Sequence, residues 1–188
     1  MNADIKKWLE KDGEQFLRKI GLKEEQTVLD FGCGVGHYTI PAAKIVGSKN
    51  KVYAFDKDKN ALSKLGKTAR QFSLKNIELI NGDTKVSLED NLVDVVLCYD
   101  VVHYMKNRTL IYNEIHRVLK REGSFSLYPK HHKDDYPLMG LASIRLGAVI
   151  KEVEKSGFVL KDKLSIECFH DDYYNECFIL KFTRLDAQ

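Results

Sequence analysis

The chain has 188 residues, 44% hydrophobic and 30% charged, with a formal net charge of +3. That length buries a full core in one domain without metal or disulfide staples, and the composition excludes extended disorder. The balance is only mildly basic, with no basic stripe interleaved with aromatics, so nothing here marks a nucleic-acid binder, and no apolar run approaches the roughly 18 residues that span a bilayer.

In chain order, Ile5, Trp8, Leu9, Phe16, Leu17 and Ile20 predict an amphipathic helix over 5–20, interrupted or frayed near Gly13. The same stretch is too charged for a secretory leader. TVLDFG (27–32) reads as a buried strand and 38–46 as a helix, with Pro41 in the first turn where a missing N–H costs nothing. KVYAFD (51–56) is a second strand. Asp58 caps the helix after it, which places Leu62, Leu65, Ala69 and Phe72 on one face. NIELINGD (76–83) is a third strand, and LVDVVLCYD (92–100) has the continuous apolar pattern of a strand buried on both faces. A helix over 107–120 buries Ile111, Ile115, Val118 and Leu119 and stops at a charged turn ending in Gly123. SFSLYP (124–129) is a fifth strand, and Leu146, Val149, Ile150 and Val153 form a last helical face ending at Gly157. Strands over 158–168 and 174–183 close the chain around the polar loop HDDYYN.

This alternation predicts a single doubly wound, Rossmann-like α/β domain over 1–188 with helices on both faces. Its sheet is seven-stranded and mostly parallel. The loop between the last two strands is too short for a helical crossover, so one of them runs antiparallel. Residues 1–24 form a helical segment covering the site, and 25–188 form the core. Cys33, Cys98, Cys168 and Cys177 show no zinc spacing and predict four reduced thiols in a cytoplasmic protein.

Gly32, Gly34 and Gly36 stand two apart between the first strand and its helix, where doubly wound sheets bind ligands. Glycines there permit positive φ and close approach of a ligand to the backbone. A dinucleotide fingerprint, GxGxxG, fails at its third glycine: counting from Gly32 the sixth position is His37, and from Gly34 it is Thr39. The GxGxG spacing, with Asp30 two positions before the first glycine, instead resembles motif I of the class I S-adenosylmethionine-dependent methyltransferases. The resemblance extends over roughly 25–182, through Asp56 after the second strand, NGDT (81–84), CYDVVHYM (98–105), LIYNEIHRVLKREGSF (110–125) and KEVEKSGF (151–158). It is nearest to the small-molecule type related to quinone-biosynthesis methyltransferases. Glu122 departs from that family's pattern, standing in place of the first of two glycines.

The resemblance implies S-adenosylmethionine as cofactor and S-adenosylhomocysteine as product. It implies that Gly32, Cys33, Gly34, Gly36, Tyr38, Lys57 and Gly82 surround the cofactor, with Asp56 at its ribose and Asp83, with Thr84 beside it, at its adenine. Asp30 would bond turn amides or, through water, the ligand's amino group, and Asp100 would face the cofactor. His103 would lie near the transferable methyl, where it is the candidate general base. No metal is expected: KHHKDDY (130–136) reads as a solvated charged loop on the rim, with a metal at His131 and His132 the lesser alternative. His116 and His170 read as surface residues. The acceptor implied is a small molecule, covered by Trp8 and Phe16 and by the 131–147 segment with Tyr136, Leu138 and Met139. The alternatives are methylation of RNA or protein, or a non-catalytic regulator that holds the cofactor.

Overall fold

A computed structural model describes residues 2–185; Met1 and residues 186–188 of the expected 1–188 domain lie outside the described residues. The strands are β1 (Val28–Phe31), β2 (Val52–Asp56), β3 (Ile77–Asn81), β4 (Val93–Tyr99), β5 (Leu119–Tyr128), β6 (Phe158–His170) and β7 (Tyr173–Arg184). The helices are α1 (Ala3–Lys7), α2 (Gly13–Lys19), α3 (Thr39–Val46), α4 (Lys59–Gln71), α5 (Arg108–Val118) and α6 (Leu146–Lys155).

All seven strands join one sheet in the order β3-β2-β1-β4-β5-β7-β6, with β7 antiparallel to both neighbours and the other pairings parallel. Period-2 alternation divides the core between the sheet's two faces. Val28, Val95, Leu97 and Tyr99 pack with Trp8, Phe16, Ile40 and Leu65 on one face. Leu29, Phe31, Val96 and Cys98 pack with Ile111, Ile115, Val149 and Phe158 on the other. Asp30 shares its face with Val28, and it is therefore aimed at α3.

Three local expectations are corrected. The N-terminal helix does not fray at Gly13; a π-helical turn over Trp8–Asp12 joins α1 to α2. Gly13 is buried there, and a Cβ on it would stand 2.5 Å from Pro41 Cγ, so a glycine lets this helix approach α3. Residues 119–123 are not a free turn but the bulged start of β5, where Leu119 pairs with Val93 and Ser124 already pairs with Val95. Cys168 and Cys177 are not reduced: they form a disulfide between β6 and β7 with Cα atoms 5.8 Å apart, while Cys33 and Cys98 are free and buried.

β6 runs in the same direction as β1–β5, so His170 at its C-terminal end lies on the edge of the sheet where those strands also end. The two-residue link Asp171–Asp172 has φ of 49° and 66°, the positive pair of a type I′ hairpin turn. Among the described residues, no helix is long and apolar enough to cross a membrane.

Candidate functional site

A cavity of about 490 Å³ opens beside the ends of β1, β2 and β4 and under the β6–β7 hairpin. Of the residues predicted for the site, Gly32, Cys33, Gly34, Tyr38, Asp56, Lys57, Asp83 and Asp100 line it. Asp30, Gly36, Gly82, Thr84 and His103 do not.

The three glycines of the turn have different tasks. Gly32 (φ +77) and Gly36 (φ +93) are packed: a Cβ would stand 2.2 Å from Val101 Cγ2 in the first case and 2.2 Å from Leu65 Cδ1 in the second. Only Gly34 (φ +53) faces open space, with nothing within 4 Å of an added Cβ. The backbone of Gly34 is thus the surface a ligand can approach closely. Gly82 serves packing as well, since a Cβ on it would meet Phe55 Cε2 at 2.6 Å.

Asp56, not Asp30, bonds the glycine turn. Its Oδ2 accepts from the Gly34 N–H at 2.8 Å and its Oδ1 from the Asp58 N–H at 2.8 Å. Asp58 caps α4 through Asn60 N–H, as its position predicts. Asp30 is 3% exposed and accepts from the Thr39 hydroxyl at 2.5 Å. Burial raises its pKa to about 7, only partly offset by that bond. Burial also drives the Cys33 thiol far up, which removes it as a nucleophile.

The back wall is aromatic. Tyr38 donates to the Phe169 carbonyl at 2.8 Å and accepts from the Phe169 N–H at 3.2 Å, which ties α3 to the hairpin. Trp8 stacks on Phe169 with centroids 5.3 Å apart and donates from Nε1 to the His37 carbonyl at 2.8 Å. Trp8 and Phe16 are 1% and 3% exposed, so they brace the wall from behind rather than meeting an acceptor. Tyr136, Leu138 and Met139 are exposed and stand outside the cavity lining.

The histidines depart furthest from expectation. His103 is buried beneath the cavity with neither ring nitrogen hydrogen-bonded, and burial lowers its pKa to about 4. It is not among the residues that line the cavity, although its Nδ1 stands 3.4 Å from Asp100 Oδ1. His131 and His132 are not solvated but 7% and 3% exposed. His116 is half-buried, edge-on to Phe158. His170, read from sequence as a surface residue, is 6% exposed, lines the cavity and places Nε2 2.7 Å from Asp100 Oδ2. Burial opposes its protonation, but the Asp100 carboxylate outweighs that and raises its pKa. The sequence held no signal for His170, because it left open which of the last two strands runs antiparallel; the structure makes it β7, so HDDYYN emerges on the ligand edge.

The cavity is acidic. Asp56, Asp83, Asp100, Asp171 and Asp172 line it, against Lys57 as the one lysine or arginine. This wall attracts a cation and repels a polyphosphate. The Gly34 N–H, which a phosphate would seek at such a turn, is already held by a carboxylate.

A family model described as a methyltransferase domain matches residues 22–172. The chain is 38% identical over 73 residues to a probable cobalt-precorrin-6B C(15)-methyltransferase (decarboxylating) of Saccharolobus solfataricus, covering 38% of this chain and 37% of that protein. It is 31% identical over 111 residues to demethylmenaquinone methyltransferase of Staphylococcus aureus, covering 58% of this chain and 45% of that protein. The chain thus spans less than half the length of either relative. Among solved structures, a SAM-dependent methyltransferase from Aquifex aeolicus matches with a TM-score of 0.78 at 25% identity, over 95% of this chain and 93% of that one.

Proposed function

The chain belongs to this methyltransferase-domain family, and we propose that it moves a methyl group from S-adenosylmethionine to a small-molecule acceptor by in-line displacement. The observation that carries this reading is the acidic cavity built on the Gly34 backbone. Its charge suits a ligand with a sulfonium and an ammonium, and does not suit NAD or ATP. When bound, S-adenosylmethionine supplies an activated methyl group, so the protein has no need of a covalent intermediate.

The residues present fit that ligand. Each oxygen of Asp56 takes one backbone N–H and retains a lone pair for a ribose hydroxyl. We assign Asp83, exposed at the rim, to the adenine end, and Asp100 with the hairpin carboxylates to the cationic methionine end. Phe31, Tyr99, Tyr104 and Phe169 supply apolar walls that exclude water and hold the reacting groups in line. We assign His103 no role as a base, since its ring is buried and outside the cavity lining. Small-molecule chemistry is supported by the two curated relatives, whose names give a cobalt-precorrin and demethylmenaquinone as what they methylate. The four reduced thiols on which a cytoplasmic setting rested are two, since Cys168 and Cys177 form a disulfide of a kind rare in that compartment.

The test is a thermal-shift titration with S-adenosylmethionine, S-adenosylhomocysteine, NAD and ATP on wild type and Asp56→Ala. A ligand at about a hundred times its Kd adds roughly 2.7 kcal/mol, which is several degrees for a chain of this size. The expected result is a shift with the first two ligands only, and an affinity at least about tenfold lower, or about 1.4 kcal/mol, in the variant. A shift with NAD or ATP alone overturns the assignment. Label transferred from the methyl group to RNA or protein, and not to metabolites, overturns the choice of acceptor class.

A further inference from the structure

Asp100, His131 and His170 come from the C-terminal ends of β4, β5 and β6, spread over 70 positions of the chain, and meet at one wall of the cavity. One donor atom from each lies within 4.8 Å of the others. Asp100 Oδ1 is 3.5 Å from His131 Nε2, and Asp100 Oδ2 is 2.7 Å from His170 Nε2. Two donors each about 2.1 Å from a tetrahedral ion stand about 3.4 Å apart, so small side-chain rotations bring this set onto one centre.

Two observations say these groups face something other than each other. His131 Nδ1 lies 2.9 Å from the Tyr136 carbonyl, which can only accept, so the ring proton is on Nδ1 and the lone pair of Nε2 is turned toward a carboxylate oxygen. That is the arrangement of a metal-bound histidine, whose outer N–H is held by a carbonyl. Next, Asp100 Oδ1 and His170 Nε2 are buried without an aligned hydrogen bond, although His103 Nδ1 stands 3.4 Å from Asp100 Oδ1 and His170 Nε2 pairs with Asp100 Oδ2 at 2.7 Å. Groups so placed are costly unless a further partner satisfies them.

We propose that Asp100, His131 and His170 bind one divalent transition-metal ion of the Zn²⁺ class, with an open coordination position toward the cavity. Two imidazoles and a carboxylate suit Zn²⁺, Co²⁺, Fe²⁺ or Ni²⁺ better than Mg²⁺ or Ca²⁺, which prefer all-oxygen sites. Asp100 and His170 line the cavity, so the open position faces the space where an acceptor enters. An acceptor hydroxyl bound there by its oxygen gives up its proton to water more readily, as metal-bound water does, and the O–H electron pair stays on oxygen as the nucleophile. This last step rests on the methyl-transfer reading; the metal site does not. The acceptor class is then an oxygen acid such as a phenol or enol.

The test uses the full chain with its disulfide intact, stripped by chelator and dialysed against Zn²⁺ or Co²⁺. The expected content is about one ion per chain, with a Co²⁺ visible spectrum of nitrogen and oxygen ligands and no thiolate charge-transfer bands. His131→Gln and His170→Gln should each weaken binding by at least about 100-fold, the upper range seen on losing even an outer-shell partner, whereas His116→Ala should not. Circular dichroism and metal-free unfolding temperature establish that the variants are folded. Should either variant not fold, the wild-type unfolding temperature with and without Zn²⁺ and the Co²⁺ spectrum decide, a rise and nitrogen–oxygen bands being expected. Failure of the wild type to retain an ion, undiminished binding in both variants, or a thiolate spectrum overturns the site. Acetohydroxamate, an oxygen chelator, should alter the Co²⁺ spectrum; an unchanged spectrum overturns the open position. S-adenosylmethionine binding is measured on the metal-free chain, so that loss of the metal proposal and loss of the methyl-transfer reading are separately visible.

Discussion

At the scale of single residues, the glycine turn separates packing from ligand contact. Gly34→Ala places a methyl in open space and costs only the left-handed strain, about 1–2 kcal/mol. That methyl projects where the ligand would lie, so S-adenosylmethionine affinity should fall at least about tenfold, read by titration calorimetry. Gly32→Ala adds the same strain to a clash with Val101, and should cost about 3 kcal/mol or more in denaturant unfolding. Val101→Ala in the same chain should recover part of the clash but none of the strain. From sequence the two glycines look alike; only the neighbour that each would touch tells them apart. The acids differ in the same way. Asp56 ends β2 and Asp30 stands one residue before the end of β1, yet strand alternation buries Asp30 against Thr39 and leaves Asp56 to hold the Gly34 amide.

At the scale of elements, the N-terminal helix and the β6–β7 hairpin are joined through the aromatic wall. Asp12 accepts from the Tyr174 hydroxyl at 2.7 Å, and Lys7 pairs with Asp12 at 2.9 Å. Helix propensity alone makes Gly13→Ala stabilising by about 1 kcal/mol. The contact with Pro41 Cγ predicts the reverse, a net loss of roughly 1–3 kcal/mol from overpacking, and a melting temperature lower by about 2–4 °C per kcal/mol. An unchanged or higher melting temperature would show that the helix can shift off α3. The strands and helices were legible because apolar period and turn residues are local signals. The bulged start of β5 was not, since it depends on how Leu119 and Ser124 find partners on β4.

At the scale of the whole molecule, burial of Asp30 links stability to pH. Its folded pKa of about 7 lies above the ordinary carboxyl value of 3.8, so the native state holds a proton that the unfolded chain releases. Stability from this group is therefore full below about pH 4 and is lost as pH rises through about 7. The span amounts to at most about 4 kcal/mol. Asp30→Asn should flatten that slope between pH 4 and 7 in denaturant unfolding measured at several pH values. Equal slopes in the two proteins would mean that Asp30 stays ionised in the folded chain.

By itself the sequence determined the strand and helix order, the doubly wound class with its antiparallel C-terminal strand, and the position of the glycine turn. Each follows from periodicity, turn chemistry and loop length, which act within a few residues. Only the tertiary structure decided which histidines meet at the cavity wall. His170 and His131 are 39 positions apart and meet beside Asp100 because β4, β5 and β6 all end on one edge of the sheet. It also closed the Cys168–Cys177 pair and enclosed Trp8 and Phe16, because contact between distant segments is set by how strands pair and faces pack, and no local pattern records that.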